Sequence, residues 1–391
     1  MNDVALMTTY GRLPVAFERG EGAWLFDTEG RAYLDALCGI AVCGLGHAHP
    51  AVADAVSRQA RTLIHTSNLY RIPLQEELAE RLCRAASMDR AFFGNSGAEA
   101  NEAAIKLARL HGNDRGFKQP TIVVMEGAFH GRTMATLTAS GSRKVQAGFE
   151  PLLKGFLRAP FGDLAALRKI AANASQQEIV AVLVEPIQGE GGINVPPDGY
   201  LEGLRAICDE NAWLMMLDEV QTGSGRTGRL FAYQHSHILP DVVTVAKGIA
   251  NGVPIGVCMA RGRAAKVFDP GSHGSTFGGN PFAAAAALAT LDVLEGGLYE
   301  RAEVLGQRIR AGLESALAGS NQVVEIRGRG LMLGIELSQP APELVKQALA
   351  SGLLINVTQE RVIRLLPPLI MSDSEADDLI ERLAALIRAL P

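Results

Sequence analysis

Asp218 and Lys247 are the residues of this chain whose positions most suggest chemistry. Asp218 follows the apolar run "AWLMML" (212–217), and Lys247 follows the run "VVTVA" (242–246). A lysine held in an apolar pocket loses solvation of its charged form, so its pKa falls and its amine can attack a carbonyl carbon. The plainer reading is a surface lysine whose stem covers apolar neighbours while its ammonium reaches water. A carboxylate just past a buried strand is costly unless it meets a cation or a donor. The two residues therefore read either as a structural salt bridge or as a two-point grip on a ring, basic nitrogen at one end and aldehyde at the other.

A third segment, "GNSGAEANEAAIKLAR" (94–109), passes from a small-residue turn into an amphipathic pattern. Ser96 and Glu99 have the spacing of a capping box. Gly97 and Ala98 also bare backbone N–H groups at the positive end of a helix dipole, which suits a phosphate. The segment is neither a P-loop nor a G-x-G-x-x-G, so neither a P-loop NTPase nor a nicotinamide enzyme is supported. Two more polar stretches, "EGAFHGRT" (126–133) and "EPIQGEGG" (185–192), each follow an apolar run of strand length.

Positioning these groups takes a sheet. The runs "TIVVM" (121–125), "IVAVLV" (179–184), "AWLMML", "VVTVA" and "IGVCMA" (255–260) include several that are continuous rather than alternating, as in strands covered on both faces. Helical patterns such as "GYLEGLRAICDEN" (199–211) lie between them, which predicts an α/β fold with a mostly parallel sheet flanked by helices. Ligands of such sheets bind beyond the carboxyl ends of the strands, so the polar stretches should share one rim. Residues 12–45 predict a few antiparallel strands with a hairpin at "DTEG" (27–30), and 49–63 a helix. Asn280 and Pro281 suit the N-cap and first turn of a long helix. A second helix over about 298–318, short strands, and a last helix behind the capping box "SDSE" (372–375) read as a smaller α+β unit. The expected division is a segment 1–48 joining the small domain, a large α/β domain 49–281 and a small α+β domain 282–391.

The 391 residues, 48% apolar and 20% charged, fit a soluble globular protein of two or three structural units. The 42 glycines, about 11% against a usual value of about 7%, fit tight turns and close approach of backbone to ligand. A net charge of −5 without a long charge run points away from nucleic acid and anionic membranes. No window is read as approaching the roughly 18 apolar residues of a membrane span, and "MNDVALMTTYGRLP" lacks the apolar centre of a leader. Cys38, Cys43, Cys83, Cys208 and Cys258 lack zinc-site spacing. No metal and a reduced, cytoplasmic compartment are expected. Cys38 and Cys43 leave a redox pair open, against the commoner role of free cysteine as a small buried hydrophobe.

A phosphate seat, a lysine for an aldehyde, a carboxylate for a pyridine nitrogen and an aromatic lid together make a pyridoxal 5′-phosphate site. In order, "GIAVCGLGHAHP" (39–50), "GNSGAEANEAAIKLAR", "GAFHGRT", "VEPIQGEGG", "LDEVQTGSGRTG" (217–228), "AKGIANGVPIG" (246–256) and "GSHGSTFGGNP" (271–281) carry a resemblance that spans the chain. It resembles the class III, ornithine/acetylornithine-type, pyridoxal-phosphate-dependent aminotransferases of the aspartate-aminotransferase-like fold type I. The resemblance implies that Lys247 holds the cofactor's aldehyde, Asp218 its ring nitrogen, Gln221 its phenolic oxygen, and Phe129 one face of its ring. Gly97 and Ala98 would hold the phosphate, and Thr276 would reach the phosphate of a second subunit in a homodimer with shared sites. Ser275 would lie near the acylated end of the substrate. Arg132 would hold the α-carboxylate of acetylornithine and then the side-chain carboxylate of glutamate. Arg364 would hold the α-carboxylate of glutamate, and Glu190 would neutralise Arg364 when the other substrate is present; a structural salt bridge is the alternative for Arg364.

The activity implied is ping-pong transfer of the δ-amino group of N2-acetyl-L-ornithine to 2-oxoglutarate. Alternatives are a succinylornithine or other ω-amino-acid transaminase, a glutamate-semialdehyde-type aminomutase that needs no external keto acid, and a non-catalytic cofactor-binding protein. Cys43 and Gly44 stand where the family usually has "NA" in "GIAVNALGH", which leaves the acyl group open.

Overall fold

Seven strands build the main sheet, in the order Arg90–Gly94, Gly256–Ala260, Val242–Val245, Leu214–Asp218, Ile179–Val184, Thr121–Met125 and Phe156–Ala159. The last five pair in parallel. Gly256–Ala260 runs antiparallel to both of its neighbours, so it alone is reversed. Every residue of the five inner strands is buried, which explains their continuous apolar sequences. The computed structural model describes residues 5–173 and 178–390. Residues 1–4, which open the stretch read above as lacking a leader, lie outside the described residues.

Helix Gly97–Asp114 packs across this sheet through Ala100, Ala103, Ala104, Ile105, Leu107 and Ala108, all buried. Its start follows from local chemistry. Ser96 Oγ accepts the Glu99 N–H at 3.2 Å, and Glu99 Oε2 reaches back to the Asn95 N–H at 2.9 Å. The helix therefore begins at the edge where the parallel strands end.

The N-terminal hairpin forms as expected, with Trp24–Asp27 antiparallel to Ala32–Asp35 and the turn between them. Leu353–Leu354 then adds in parallel beside Leu34 and Asp35, tying the first strands to a late segment of the chain. Val323–Arg329, Met332–Leu337, Val362–Leu365 and Asn356–Thr358 form a third, antiparallel sheet. Asn280 caps helix Pro281–Val293, accepting the Ala283 N–H at 2.9 Å, and Ser372 caps Asp373–Arg388.

Several features depart from the sequence reading. Strands Arg90–Gly94 and Phe156–Ala159 sit at the two edges, and helices Pro73–Ala86 and Leu164–Ala172 were not foreseen. Residues 38–41 are not strand. Cys38, Gly39, Ile40 and Ala41 all have positive φ, between 53° and 66°, and make one left-handed turn. The stretch Pro281–Ala316 is long and apolar enough to cross a membrane by length and composition, contrary to the reading that no window comes close. Its apolar character has a different cause: Ala283, Ala284, Ala286, Ala287, Leu288 and Leu291 are buried inside the protein. A turn at Leu294–Leu298, with Gly297 at φ 101°, also interrupts it. All five cysteines are free.

Candidate active site

A cleft of about 400 Å³ opens at the carboxyl edge of the parallel strands. Asp218 ends one strand, Glu185 directly follows the next, and Lys247 and Phe129 lie just past two others. Gly97 and Ala98 enter it from the start of their helix, and Arg132, Glu190 and Gln221 complete the wall. Eight of the eleven residues singled out above thus meet in one cleft. Arg364 stands behind Glu190, and Ser275 and Thr276 lie outside the lining. Ser275 Oγ accepts from Asn95 Nδ2 at 3.3 Å, and Asn95 itself lines the cleft. Thr276 is exposed in the single chain.

Asp218 and Lys247 form no salt bridge. Asp218 Oδ2 instead meets His130 Nδ1 at 2.7 Å and Asn101 Nδ2 at 2.7 Å, and Oδ1 accepts the Val220 N–H at 3.0 Å. Thr244 Oγ1 donates to Asn101 Oδ1 at 2.7 Å, which fixes the amide so that its Nδ2 faces the carboxylate. Burial pushes the His130 pKa down, but the hydrogen bond and charge of Asp218 outweigh it and hold the imidazole above its ordinary value.

Lys247 makes no side-chain hydrogen bond or ion pair with any described residue. Its backbone is left-handed at φ 47°, a conformation that costs energy for a side chain bearing a Cβ and that gathers at functional sites. Burial lowers its pKa, partly opposed by the negative charge of Glu190. Both properties suit an amine that acts as nucleophile and base. Glu185 is raised to about 7, mainly by burial, and its oxygens accept the N–H groups of Phe129 at 2.9 Å and Gly189 at 3.1 Å. It holds the Phe129 loop against the cleft.

Two arginines differ in commitment. Arg132 has no hydrogen bond or ion pair among the described residues; its guanidinium stands 5.6 Å from the centre of the Phe129 ring. Arg364, 1% exposed, donates from Nη1 to Glu190 Oε1 at 2.5 Å and from Nη2 to Asn356 Oδ1 at 2.9 Å. A second cavity of about 820 Å³, lined by Ser142, Lys144 and Gln359, shares Phe129, Arg132 and Glu190 with the first.

The residues present fit pyridoxal phosphate. The first-turn N–H groups of Gly97 and Ala98 have no partner within their helix. A side chain at Gly97 would run into Val220 at 2.7 Å, so glycine keeps this turn close. Gln221 Oε1 is buried without a partner and faces the same space. Asn101, His130, Glu185, Val220 and Asn356 are neighbours that the sequence reading gave no role. The first four sit in quoted motifs, but only the fold brings them together.

An aminotransferase class-III family model matches residues 6–387. An acetylornithine aminotransferase from Nitrosomonas europaea is 58% identical over 98% of this chain and 97% of its own length. The structure of an ornithine aminotransferase from Toxoplasma gondii, with pyridoxal phosphate at partial occupancy in its active site, superposes with a TM-score of 0.94. It is 34% identical over 98% of this chain and 92% of that one. An acetylornithine aminotransferase from Elizabethkingia anophelis superposes with a TM-score of 0.88, at 34% identity over 98% and 96% of the two chains.

Proposed function

This chain belongs to the class-III aminotransferases, and from that premise we propose that it transfers the δ-amino group of N2-acetyl-L-ornithine to 2-oxoglutarate, giving N-acetyl-L-glutamate 5-semialdehyde and L-glutamate. The arginine arrangement carries this reading. Arg132 is uncommitted, whereas Arg364 is already neutralised by Glu190, and both lie around the cleft that holds Lys247. One substrate brings a single carboxylate to Arg132. The other brings two, and the second displaces Glu190 from Arg364. A δ-amine and an α-amine can then be presented to the same lysine in turn.

The cofactor is pyridoxal 5′-phosphate, which when bound supplies an aldehyde that captures amines and a protonated ring that draws off electrons. The chain does the rest. Lys247 Nζ, less readily protonated than a surface lysine, moves the proton at the amine-bearing carbon of the substrate. Asp218, oriented by His130 and Asn101, keeps negative charge at the floor of the cleft. Gly97 and Ala98 would offer N–H groups to the cofactor's phosphate, Gln221 would bind a polar substituent of the ring, and Phe129 and Val220 would supply apolar contact.

The same reading makes the protein a cytoplasmic homodimer acting on small molecules, with no nucleic-acid or membrane partner. Free cysteines support a reducing compartment. Exposed Leu69, Tyr70 and Phe277 around the Thr276 loop support a second copy, with Thr276 and Ser275 completing its neighbour's site. It also divides the chain into 49–281 and 282–391, with 1–48 joining the latter, a division supported by the pairing of Leu353–Leu354 with Leu34 and Asp35.

The test is a pair of half-reactions followed by the absorbance of the bound cofactor. N-acetylornithine or glutamate alone should bleach it, 2-oxoglutarate should restore it, and Lys247→Ala should lose turnover by more than about 10³-fold. N-succinylornithine and ornithine, run alongside, name the acyl group. Failure of every amine to bleach the wild-type band would overturn the reading.

A further inference from the structure

The pair between buried Arg364 and partly exposed Glu190 must come apart in each catalytic cycle if the proposed function holds, and the inference drawn here rests on that reading. A guanidinium released by its only partner would lose its orientation as it lost its counter-charge. The structure supplies a second partner of a different kind. Asn356 stands directly opposite Arg364 in the antiparallel pairing of Asn356–Thr358 with Val362–Leu365, and its Oδ1 accepts Arg364 Nη2 at 2.9 Å. On the other flank Arg364 faces Gly334, which has no side chain to offer. Cross-strand neighbours share a face of the sheet, and Asn356 is the directly opposed side chain that holds the arginine.

The end of the same short strand and the residue after it also hold the other half of the pair. Thr358 Oγ1 and Gln359 Nε2 both donate to the backbone carbonyl of Glu190, at 2.7 and 2.8 Å. The backbone of Glu190 is thereby tied down and its side chain, partly open to solvent, is the part free to swing. Arg364 is 1% exposed, and its Nε is buried without a partner, so the guanidinium keeps donor capacity beyond its two present bonds.

We propose that Asn356 is a positioning residue: it pins Arg364 without neutralising it, so that when Glu190 leaves the arginine stays in place and stays attractive to the α-carboxylate of a dicarboxylic amino acid. The amide matters because it is neutral. An aspartate of the same shape would accept the same hydrogen bond but cancel the charge permanently, and a carboxylate ligand would then meet a spent cation. An alanine would leave the charge and lose the hold.

The experiment compares Asn356→Asp and Asn356→Ala with the wild type, all loaded with cofactor. Glutarate, a dicarboxylate with no amine, is titrated by calorimetry, and the two half-reactions are measured separately. Asn356→Asp should weaken glutarate binding and raise the KM for glutamate by about tenfold or more, since it removes a charge-assisted contact. Asn356→Ala should raise both by a smaller factor, roughly threefold to fivefold, because it costs the arginine its hold but leaves its charge available to the ligand. The KM for acetylornithine should stay within about twofold in both variants, because that substrate leaves Arg364 with Glu190. Equal losses in both half-reactions, or unchanged glutarate binding in Asn356→Asp, would overturn the proposal. If Asn356→Ala fails to fold, the isosteric aspartate variant decides alone. A wild type that turns over glutamate but no acylated ornithine would sink the substrate assignment and leave the glutarate comparison able to decide this one.

Discussion

His130 Nδ1 lies 2.7 Å from Asp218 Oδ2, with both side chains out of solvent. Asn101 takes the same oxygen, so Oδ1, which holds only the Val220 N–H, is the oxygen that can face a ligand. His130→Phe keeps an aromatic ring, though a larger one, and removes the donor. A hydrogen bond to a charged group is worth about 1.5–3 kcal/mol, so kcat or cofactor affinity should fall by roughly tenfold to a hundredfold. Steady-state kinetics and fluorescence titration of the cofactor measure the two. No change in either would mean that Asp218 does not depend on His130.

Much of this arrangement was legible in the sequence, and the illegible part has physical causes. The strands ending at Met125, Val184 and Asp218 announced themselves because burial on both faces demands unbroken apolar runs. Arg90–Gly94 and Phe156–Ala159, at the sheet edges, are only partly buried and carry arginines, so no such run marks them. The left-handed turn at 38–41 has a single glycine; L-residues avoid that region, and tertiary packing imposes it. Lys247 and Asp218 could be named from their places after strands. Their relation could not: a salt bridge was an open reading, and what satisfies Asp218 is Asn101, 117 residues away in the chain. Asn356 gave no signal either, because its role exists only in the register that sets it opposite Arg364.

Glu219, the neighbour of Asp218, makes stability depend on pH. It is fully buried, accepts the Tyr233 N–H at 2.9 Å and the Thr222 hydroxyl, and burial raises its pKa from 4.5 to about 7. The folded chain keeps this proton after the unfolded chain has released it. Stability should therefore fall as pH rises from about 4.5 to about 7, by at most about 3 kcal/mol from this group. Glu185, also raised to about 7, adds with the same sign. Glu219→Gln should flatten its share of the profile, read as the unfolding midpoint of variant and wild type at pH 5 and pH 7.5. A difference between the two that is the same at both pH values would contradict the assignment.

Thr276 offers a test of shared sites. Asn68 Nδ2 ties its loop down through the carbonyls of Ser275 and Gly278, at 3.0 and 3.1 Å, while Thr276 itself is exposed and does not line its own cleft. Thr276→Ala should leave the dimer intact by sedimentation and weaken cofactor binding by roughly tenfold, one hydrogen bond to a charged phosphate. Hybrid dimers locate the contact. When Lys247→Ala chains are paired with Thr276→Ala chains, a cross-subunit contact leaves one site with both residues intact and wild-type affinity. A contact within one chain would leave no such site.

Arg364→Leu separates the two substrates. The variant removes the cation that Glu190 now neutralises, and the Glu190 side chain, 36% exposed, can turn to solvent, so the fold should tolerate the change. Glutamate and 2-oxoglutarate lose a charged partner at the α-carboxylate, and kcat/KM for that half-reaction should fall by about a hundredfold or more, corresponding to roughly 3 kcal/mol. Acetylornithine asks nothing of Arg364, and its half-reaction should stay within a few-fold of wild type. Arg132→Leu makes the contrast, because that guanidinium has no hydrogen bond or ion pair among the described residues and would serve a carboxylate of each substrate; both half-reactions should collapse together. If Arg364→Leu impaired both half-reactions equally, the Arg364–Glu190 pair would be an ion pair of the fold rather than the element that lets one cleft accept two kinds of amine.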